Sequence, residues 1–151
     1  MTKRRLGTVV LLALGAVLVL SSCGGGGSKR LTKEQFAAKA NTLCAAFNKQ
    51  VKAAGSPATI ADAIAMYKTL LPADRKLIAD VKKLQPPANE AADAKRVVTL
   101  GEEQATRVEA LIAALNKNDT KQANTLIAGG DANQKESKTI FTKLGAPECA
   151  K

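Results

Sequence analysis

Three cysteines, Cys23, Cys44 and Cys149, are the residues of this chain with the most distinctive chemistry. A thiol can carry a lipid, form a disulfide or act as a nucleophile. The sequence contains no histidine and no Cys-x-x-Cys pair, which excludes histidine-dependent catalytic triads and histidine-containing metal sites. We therefore predict a protein that is not an enzyme and that holds no metal or cofactor.

Cys23 ends an N-terminal segment that has the layout of a secretion signal. A basic stretch at residues 3–5 precedes an apolar run at residues 6–20, which is shorter than the roughly 18 to 20 residues that span a membrane. The sequence Leu-Ser-Ser-Cys at residues 20–23 resembles a bacterial lipobox, which implies removal of a signal peptide, residues 1–22, and a diacylglycerol on the Cys23 sulfur. The alternative is an uncleaved anchor helix with an incidental cysteine.

A Gly/Ser-rich tether follows the cysteine, so that residues 23–30 form a lipidated link to the domain at residues 31–151. Its four glycines and serine at residues 24–28 bury nothing and favour a flexible coil with a reach of about 15 Å. We therefore predict a protein held by its lipid at the cell membrane, on the extracytoplasmic face.

The net positive charge of the chain limits the classes of partner that it is expected to bind. The chain has 23 basic and 13 acidic residues, and without the signal peptide 20 basic residues remain, a net charge of +7. Because the protein is expected to be exported, we exclude nucleic acid as a partner. The partners that remain are anionic lipid, an acidic cell-wall polymer or an envelope protein. A charged surface that serves only solubility is the alternative.

With Cys23 acylated, Cys44 and Cys149 remain as a pair outside the cytoplasm, where two cysteines usually form a disulfide. In an antiparallel bundle the fourth helix ends near the start of the first, and the tail after Gly145 is long enough to fold back to Cys44. We predict a Cys44–Cys149 disulfide, with two separate free thiols as the alternative.

The domain has a helical pattern throughout. Residues 32–35, Thr-Lys-Glu-Gln, form a capping box for a first helix, which residues 55–57, Gly-Ser-Pro, end. A second helix begins near Thr59 and stops at Pro86-Pro87. Pro72 interrupts its apolar stripe, so we expect a kink or a short break there.

Two further helices complete the expected fold. The third covers about residues 89–117, and the fourth begins after the N-cap Asp119 and ends near Gly145. The third helix has apolar residues at heptad-like spacing, namely Val98, Gly101, Ala105, Val108, Ile112 and Leu115. The predicted fold is all-α: an antiparallel up-down four-helix bundle with a kinked second helix, pinned by one disulfide.

Two segments are similar to small secreted or lipid-anchored helical proteins that are common in actinobacteria. Those proteins often carry an early Phe-x-x-x-Ala-Asn-x-x-Cys and a late Leu-Gly followed by Cys. The matching residues here are Phe36, Ala40, Asn41, Cys44, Leu144, Gly145 and Cys149. The resemblance implies a helical fold with a disulfide from the first helix to the tail, and it carries no established activity.

The middle of the bundle is the candidate binding site. Small, polar and helix-breaking residues share one height there, while larger apolar residues occupy both ends, which favours a weakly packed pocket for a small ligand. The candidate pocket residues are Tyr67, Asp74, Gly101, Gln104, Gly130, Gln134 and Ser137. In the alternative, Gly129-Gly130 is a loop and the polar residues face solvent.

Two functions follow from these observations. The first is a lipid-anchored, non-catalytic interaction or structural module of the cell envelope, which the scarcity of aromatic residues favours. The second is a lipid-anchored binding protein for a small or lipid-like ligand in the mid-bundle pocket. A large internal cavity would favour the second.

Overall fold

The computed structural model of the chain describes residues 30–151. The predicted signal peptide, Cys23 and nearly all of the tether lie outside the described residues. The described part folds into four helices, α1 (Lys33–Ala54), α2 (Ile60–Lys83), α3 (Ala91–Asn116) and α4 (Thr120–Lys143). In residues 30–151 there is no strand, and no helix there combines the length and the apolar character needed to cross a membrane.

The helices begin where side chains can satisfy their first backbone N–H groups. The predicted capping box of α1 is confirmed: Thr32 Oγ1 accepts from the Gln35 N–H at 3.2 Å, and Gln35 Oε1 accepts from the Thr32 N–H at 3.0 Å. Thr59 and Asp62 form a second capping box at α2, and Asp119 caps α4 as predicted. Such caps fix the helix starts locally.

The second helix continues through Pro72 without interruption, so the short break considered as one outcome is absent. Proline lacks an N–H, which leaves the carbonyl of Lys68 without its helical donor and favours a bend at this point. Pro72 is exposed, so water can serve that carbonyl.

Consecutive helices pack side by side: α1 on α2, α2 on α3, and α3 on α4. The short connections make each pair antiparallel, and the predicted four-helix bundle is confirmed. The backbones of α1 and α4 approach each other at few points, although side chains of both helices share the first apolar cluster described below and Lys33 Nζ donates to the Lys143 carbonyl at 3.0 Å. The C-terminal 3₁₀ turn Pro147–Ala150 lies between them and packs on both helices.

The predicted disulfide between Cys44 and Cys149 is confirmed, with 5.1 Å between the two Cα atoms. It ties the middle of α1 to the tail. The tail begins at Gly145, which has a left-handed backbone (φ 76°) as predicted for the residue that ends α4.

Two asparagines of α1 also hold the tail in place. Asn41 Oδ1 accepts from the Glu148 N–H at 2.9 Å, and Asn48 Nδ2 donates to the Glu148 carbonyl at 2.8 Å. The Asn41 Nδ2 group donates to the Gly145 carbonyl at 3.4 Å. In the sequence Asn41 stood out only as part of the resemblance, and the structure shows that its side chain binds the tail.

Two apolar clusters lie at opposite ends of the bundle, and further buried residues that belong to neither include Val81, Val97, Leu100 and Ala105. The first lies where α1 begins and α4 ends, and it contains Phe36, Ala40, Ala94, Leu144 and Ala146. The second lies where α3 ends and α4 begins, and it contains Leu111, Ala114 and Ala123. The space between these clusters is where the candidate site lies.

The predicted seam on α3 covers only part of the face that packs towards other helices. Of its six residues only Ala105 is buried, whereas the other five are half-buried. The buried residues of α3 are Ala94, Val97, Leu100, Ala105, Leu111 and Ala114. The reason is that α3 packs on both α2 and α4, so its apolar face is wider than a single heptad seam.

Candidate functional site

A cavity of about 380 Å³ lies between the two apolar clusters. All four helices and the tail contribute to its wall. Small-molecule sites generally occupy about 300 to 1,000 Å³, and at about 30 Å³ for each water-sized group this cavity has room for roughly a dozen such groups. Its size therefore suits a small ligand.

The structure brings all seven candidate pocket residues to the wall of this one cavity. They are Tyr67 and Asp74 on α2, Gly101 and Gln104 on α3, and Gly130, Gln134 and Ser137 on α4. Gly129 and Gly130 lie inside α4, so the alternative that placed them in a loop is wrong. Gln134 is exposed and Ser137 is half-buried.

Most of the remaining wall is apolar. It consists of Phe47, Leu77, Ile78, Val81, Val97, Val98, Leu100, Val108, Leu111, Leu126, Ile127 and Phe141. Sequence reasoning did not assign these residues to the pocket, although Val98 and Val108 belong to the predicted stripe of α3. The wall thus combines an apolar surface with a few polar groups, which is the usual composition of a ligand site.

The disulfide also belongs to the wall, since both Cys44 and Cys149 line the cavity. Cys44 is only 4% exposed. The disulfide therefore closes the cavity on the side where the tail is wedged between α1 and α4.

The cavity opens between α1 and α4 beyond the tail. Four lining residues on this side are exposed, namely Ile127, Asp131, Gln134 and Lys151. Residues 49–62, which include the end of α1, are exposed throughout. The backbones of α1 and α4 approach each other at few points. A ligand can therefore enter between these helices without forcing packed helices apart.

The paired glycines of α4 allow side chains of α3 to lie against its backbone. A β-carbon at Gly129 would lie 2.3 Å from Nη1 of Arg107. A β-carbon at Gly130 would lie 3.3 Å from both terminal atoms of Gln104. The glycines therefore make room for a guanidinium and an amide at the cavity wall.

Two of these polar atoms have no partner. Oε1 of Gln104 and Nε of Arg107 are buried, and residues 30–151 provide neither with a hydrogen bond. More than nine in ten buried polar groups in native proteins are paired. An unpaired acceptor and an unpaired donor beside a cavity can therefore be satisfied by a bound molecule.

Asp74 is the half-buried carboxylate of the cavity. Burial raises the pKa of Asp74 from 3.8 to about 6, and the positive charge of Arg75 opposes this rise only weakly. Arg75 Nη2 itself pairs with Glu109 Oε1 at 2.6 Å. In the part of the chain that the structure describes, no hydrogen bond or ion pair satisfies the Asp74 carboxylate.

The arrangement is suited to binding. It presents a carboxylate, an amide and a guanidinium around an apolar space, and each of the three has unused hydrogen-bonding capacity. Metal binding has no comparable support, since residues 30–151 contain no group of three or more His, Cys, Asp or Glu side chains that could hold an ion.

Comparison with protein-family models, with curated proteins and with solved structures finds no match for this chain.

Proposed function

We propose that this protein is a lipid-anchored, non-catalytic binding protein of the cell envelope, which holds a small, largely apolar ligand in the mid-bundle cavity. The observation that carries the proposal is the cavity itself, because it combines an apolar wall with unpaired polar atoms of Gln104 and Arg107. The scarcity of aromatic residues favoured an interaction or structural module, and the cavity reverses that preference.

The energetics of the cavity support this choice. Apolar surface left in contact with water and unpaired buried polar atoms both lower the free energy of unfolding. A protein that served only as a structural module would be more stable with this space filled. Proteins with a site that must accept a ligand commonly have a free energy of unfolding below the highest value that their fold could reach.

The lipobox resemblance supplies the location. A diacylglycerol on Cys23 and a tether of eight residues, 23–30, would keep the domain at the outer face of the cell membrane. The net charge of +7 would bring the domain near anionic lipid, an acidic cell-wall polymer or an envelope protein.

Filling the cavity should abolish ligand binding. Val108 lines the cavity and is half-buried, so in the variant Val108→Phe the larger ring is expected to occupy the space. We expect wild-type protein to bind the neutral probe N-phenyl-1-naphthylamine with enhanced fluorescence, and the variant to bind it at least about tenfold more weakly, because a buried phenyl ring displaces ligand surface of comparable area. Fluorescence titration provides the measurement.

Val51→Phe is the matched control, because Val51 is 40% exposed and does not line the cavity. This variant adds the same ring at the surface and should bind the probe as wild type does. Equal binding by Val108→Phe and wild type, with both folded by circular dichroism, would show that the probe does not use the cavity and would contradict the proposal.

Removing the lipid-bearing thiol should release the protein from the membrane. In Cys23→Ala we expect loss of diacylglycerol and, in protein from which residues 1–22 have been removed, loss of most membrane association, because the basic domain alone provides only weak, salt-sensitive attraction. Intact mass spectrometry of the full chain from a bacterial host reports both the lipid and the removal of residues 1–22, and detergent phase partitioning reports membrane association. Ser28→Ala in the tether is the control, and wild-type protein without diacylglycerol, or membrane retention of Cys23→Ala that lacks residues 1–22, would overturn the predicted anchor.

A further inference from the structure

We infer that the ligand of the cavity carries a cationic nitrogen, an amine on an apolar body, and that this nitrogen binds the carboxylate of Asp74. The inference rests on the proposed function and adds the chemical class of the ligand. It depends on the position of Asp74, on the absence of a cation beside it, and on the apolar surface around it.

The position of Asp74 places its carboxylate at the cavity. It lies on α2 one turn before Leu77 and Ile78, and all three line the same space. Asp131 is the other carboxylate of the wall, but it is exposed at the mouth on α4. Asp74 is therefore the acidic group that a ligand meets inside the cavity.

No cation of the described chain neutralises this carboxylate. Within residues 30–151, no lysine or arginine nitrogen lies within 4 Å of the Asp74 oxygens, and its neighbours Arg75 and Lys76 pair instead with Glu109 and Asp80. A half-buried carboxylate without a partner is unfavourable, and a matching cation relieves the cost. A ligand amine can supply that cation.

The other charged groups of the wall come from different elements. Arg107 projects from α3, Asp131 and Lys138 from α4, and Lys151 from the tail, where it pairs with Glu148. The part of α1 that lines the cavity contributes no charge. Among these groups and their neighbours, only Arg75 has an appreciable charge effect on Asp74, so the cavity around this carboxylate is left open to a cation.

Gln104 provides a second acceptor on the wall of the same cavity. Its Oε1 atom is buried and lacks a donor within residues 30–151. A primary ammonium has three N–H donors. The cavity therefore has more unused acceptor capacity than an alcohol, with one donor, can satisfy.

The test compares three probes that share an eight-carbon chain: n-octylamine, octan-1-ol and octanoate. Each is titrated against the full chain by displacement of N-phenyl-1-naphthylamine at pH 7.5. A hydrogen bond to a charged group is stronger than one between neutral groups. The difference in free energy corresponds to roughly tenfold tighter association. We expect octylamine to bind about tenfold more tightly than octanol and octanoate to bind least.

Two variants assign this preference to one residue. Asp74→Asn should weaken octylamine about tenfold and leave octanol within twofold of its wild-type affinity, because only the charge is removed. Glu34→Gln, which removes an exposed carboxylate that does not line the cavity, should retain the preference for the amine. The preference should also fall between pH 7.5 and pH 5, as Asp74 becomes protonated.

The outcomes separate the two proposals. If the naphthylamine probe binds but octylamine and octanol bind equally, or octanoate binds most tightly, the inference is overturned and the proposed function stands. If Asp74→Asn keeps the full preference for octylamine, the inference is likewise overturned. If the naphthylamine probe does not bind wild-type protein and calorimetric titration detects no binding of any eight-carbon probe, both proposals fail.

Discussion

Replacement of both disulfide cysteines, in the variant Cys44→Ser/Cys149→Ser, is expected to lower the free energy of unfolding by about 3 to 4 kcal/mol. The disulfide joins residues 105 positions apart, and in the chain-entropy model the closure of a loop of this size contributes about 4.7 kcal/mol. Measured values are usually smaller. Urea denaturation followed by circular dichroism gives the difference from oxidised wild type.

The architecture makes this bond more important than the loop length alone indicates. The first helix packs on α2 and on the tail, and its backbone approaches that of α4 at few points. Without the disulfide, the tail is held to α1 by the hydrogen bonds of Asn41 and Asn48 and by the packing of Ala146 in the first apolar cluster. Amide hydrogen exchange in α1 should therefore increase more than exchange in α3, which packs on two helices.

Wild-type protein treated with a reductant is the matched control, because it loses the bond and keeps both sulfur atoms. It should be at least as stable as the double variant, which places a serine hydroxyl at the buried Cys44 position. A double variant as stable as oxidised wild type would show that the disulfide adds no stability. Faster exchange spread equally over α1 and α3 would contradict the view that the tail anchors α1.

The helices and their ends could be predicted because they depend on local chemistry. Thr32 and Gln35 are three residues apart, and Asp119 precedes the first turn of α4, so each cap depends on a few neighbouring residues. Gly145 was predicted to end α4 because glycine adopts a left-handed backbone without strain. The pairing of Cys44 with Cys149 followed from helix order and chain length.

Only some of the residues that line the cavity could be predicted from the sequence. Asp74, Gln104 and Gln134 were found because antiparallel helices bring their middles to one height. Phe47 and Asn48 of α1 were missed, because their approach to the cavity depends on the tail, which separates α1 from α4. No pattern in the sequence of α1 indicates that the tail lies between α1 and α4.

The paired glycines of α4 show a conflict between local preference and packing. Each glycine inside a helix costs about 1 kcal/mol relative to alanine, so Gly129-Gly130 favoured a loop when considered alone. In the structure the helix continues, because Arg107 and Gln104 pack where β-carbons would otherwise lie. Only the placement of α3 against α4 explains why these residues are glycine. The sequence does not show where α3 lies relative to α4.

Asp74→Asn is expected to stabilise the unliganded protein by about 2 kcal/mol at pH 7.5. Burial raises the pKa of Asp74 from 3.8 to about 6. One pKa unit corresponds to about 1.4 kcal/mol, so the rise amounts to roughly 3 kcal/mol, which we reduce to about 2 because the carboxylate is partly exposed to water. The charged carboxylate therefore destabilises the fold, and the neutral amide removes that cost.

The pH dependence of this gain distinguishes desolvation from a change in packing. Well below pH 3.8 Asp74 is protonated in both the folded and the unfolded state, so it costs nothing there. As the pH rises towards 6 the folded state retains a proton that the unfolded state has lost, and the wild type loses stability until Asp74 is fully ionised. The advantage of Asp74→Asn should therefore be at most about 0.5 kcal/mol at pH 4 and complete above about pH 7.

Urea denaturation at pH 4, 5.5 and 7.5 measures this profile, with Asp131→Asn as the control because that carboxylate is exposed at the mouth. The control should change the free energy of unfolding by less than about 0.5 kcal/mol at each pH. A gain in Asp74→Asn that is equal at all three pH values would assign the effect to packing. Loss of stability in this variant at pH 7.5 would mean that the carboxylate already has a favourable partner, and it would remove the electrostatic reason for the cavity to bind a cation.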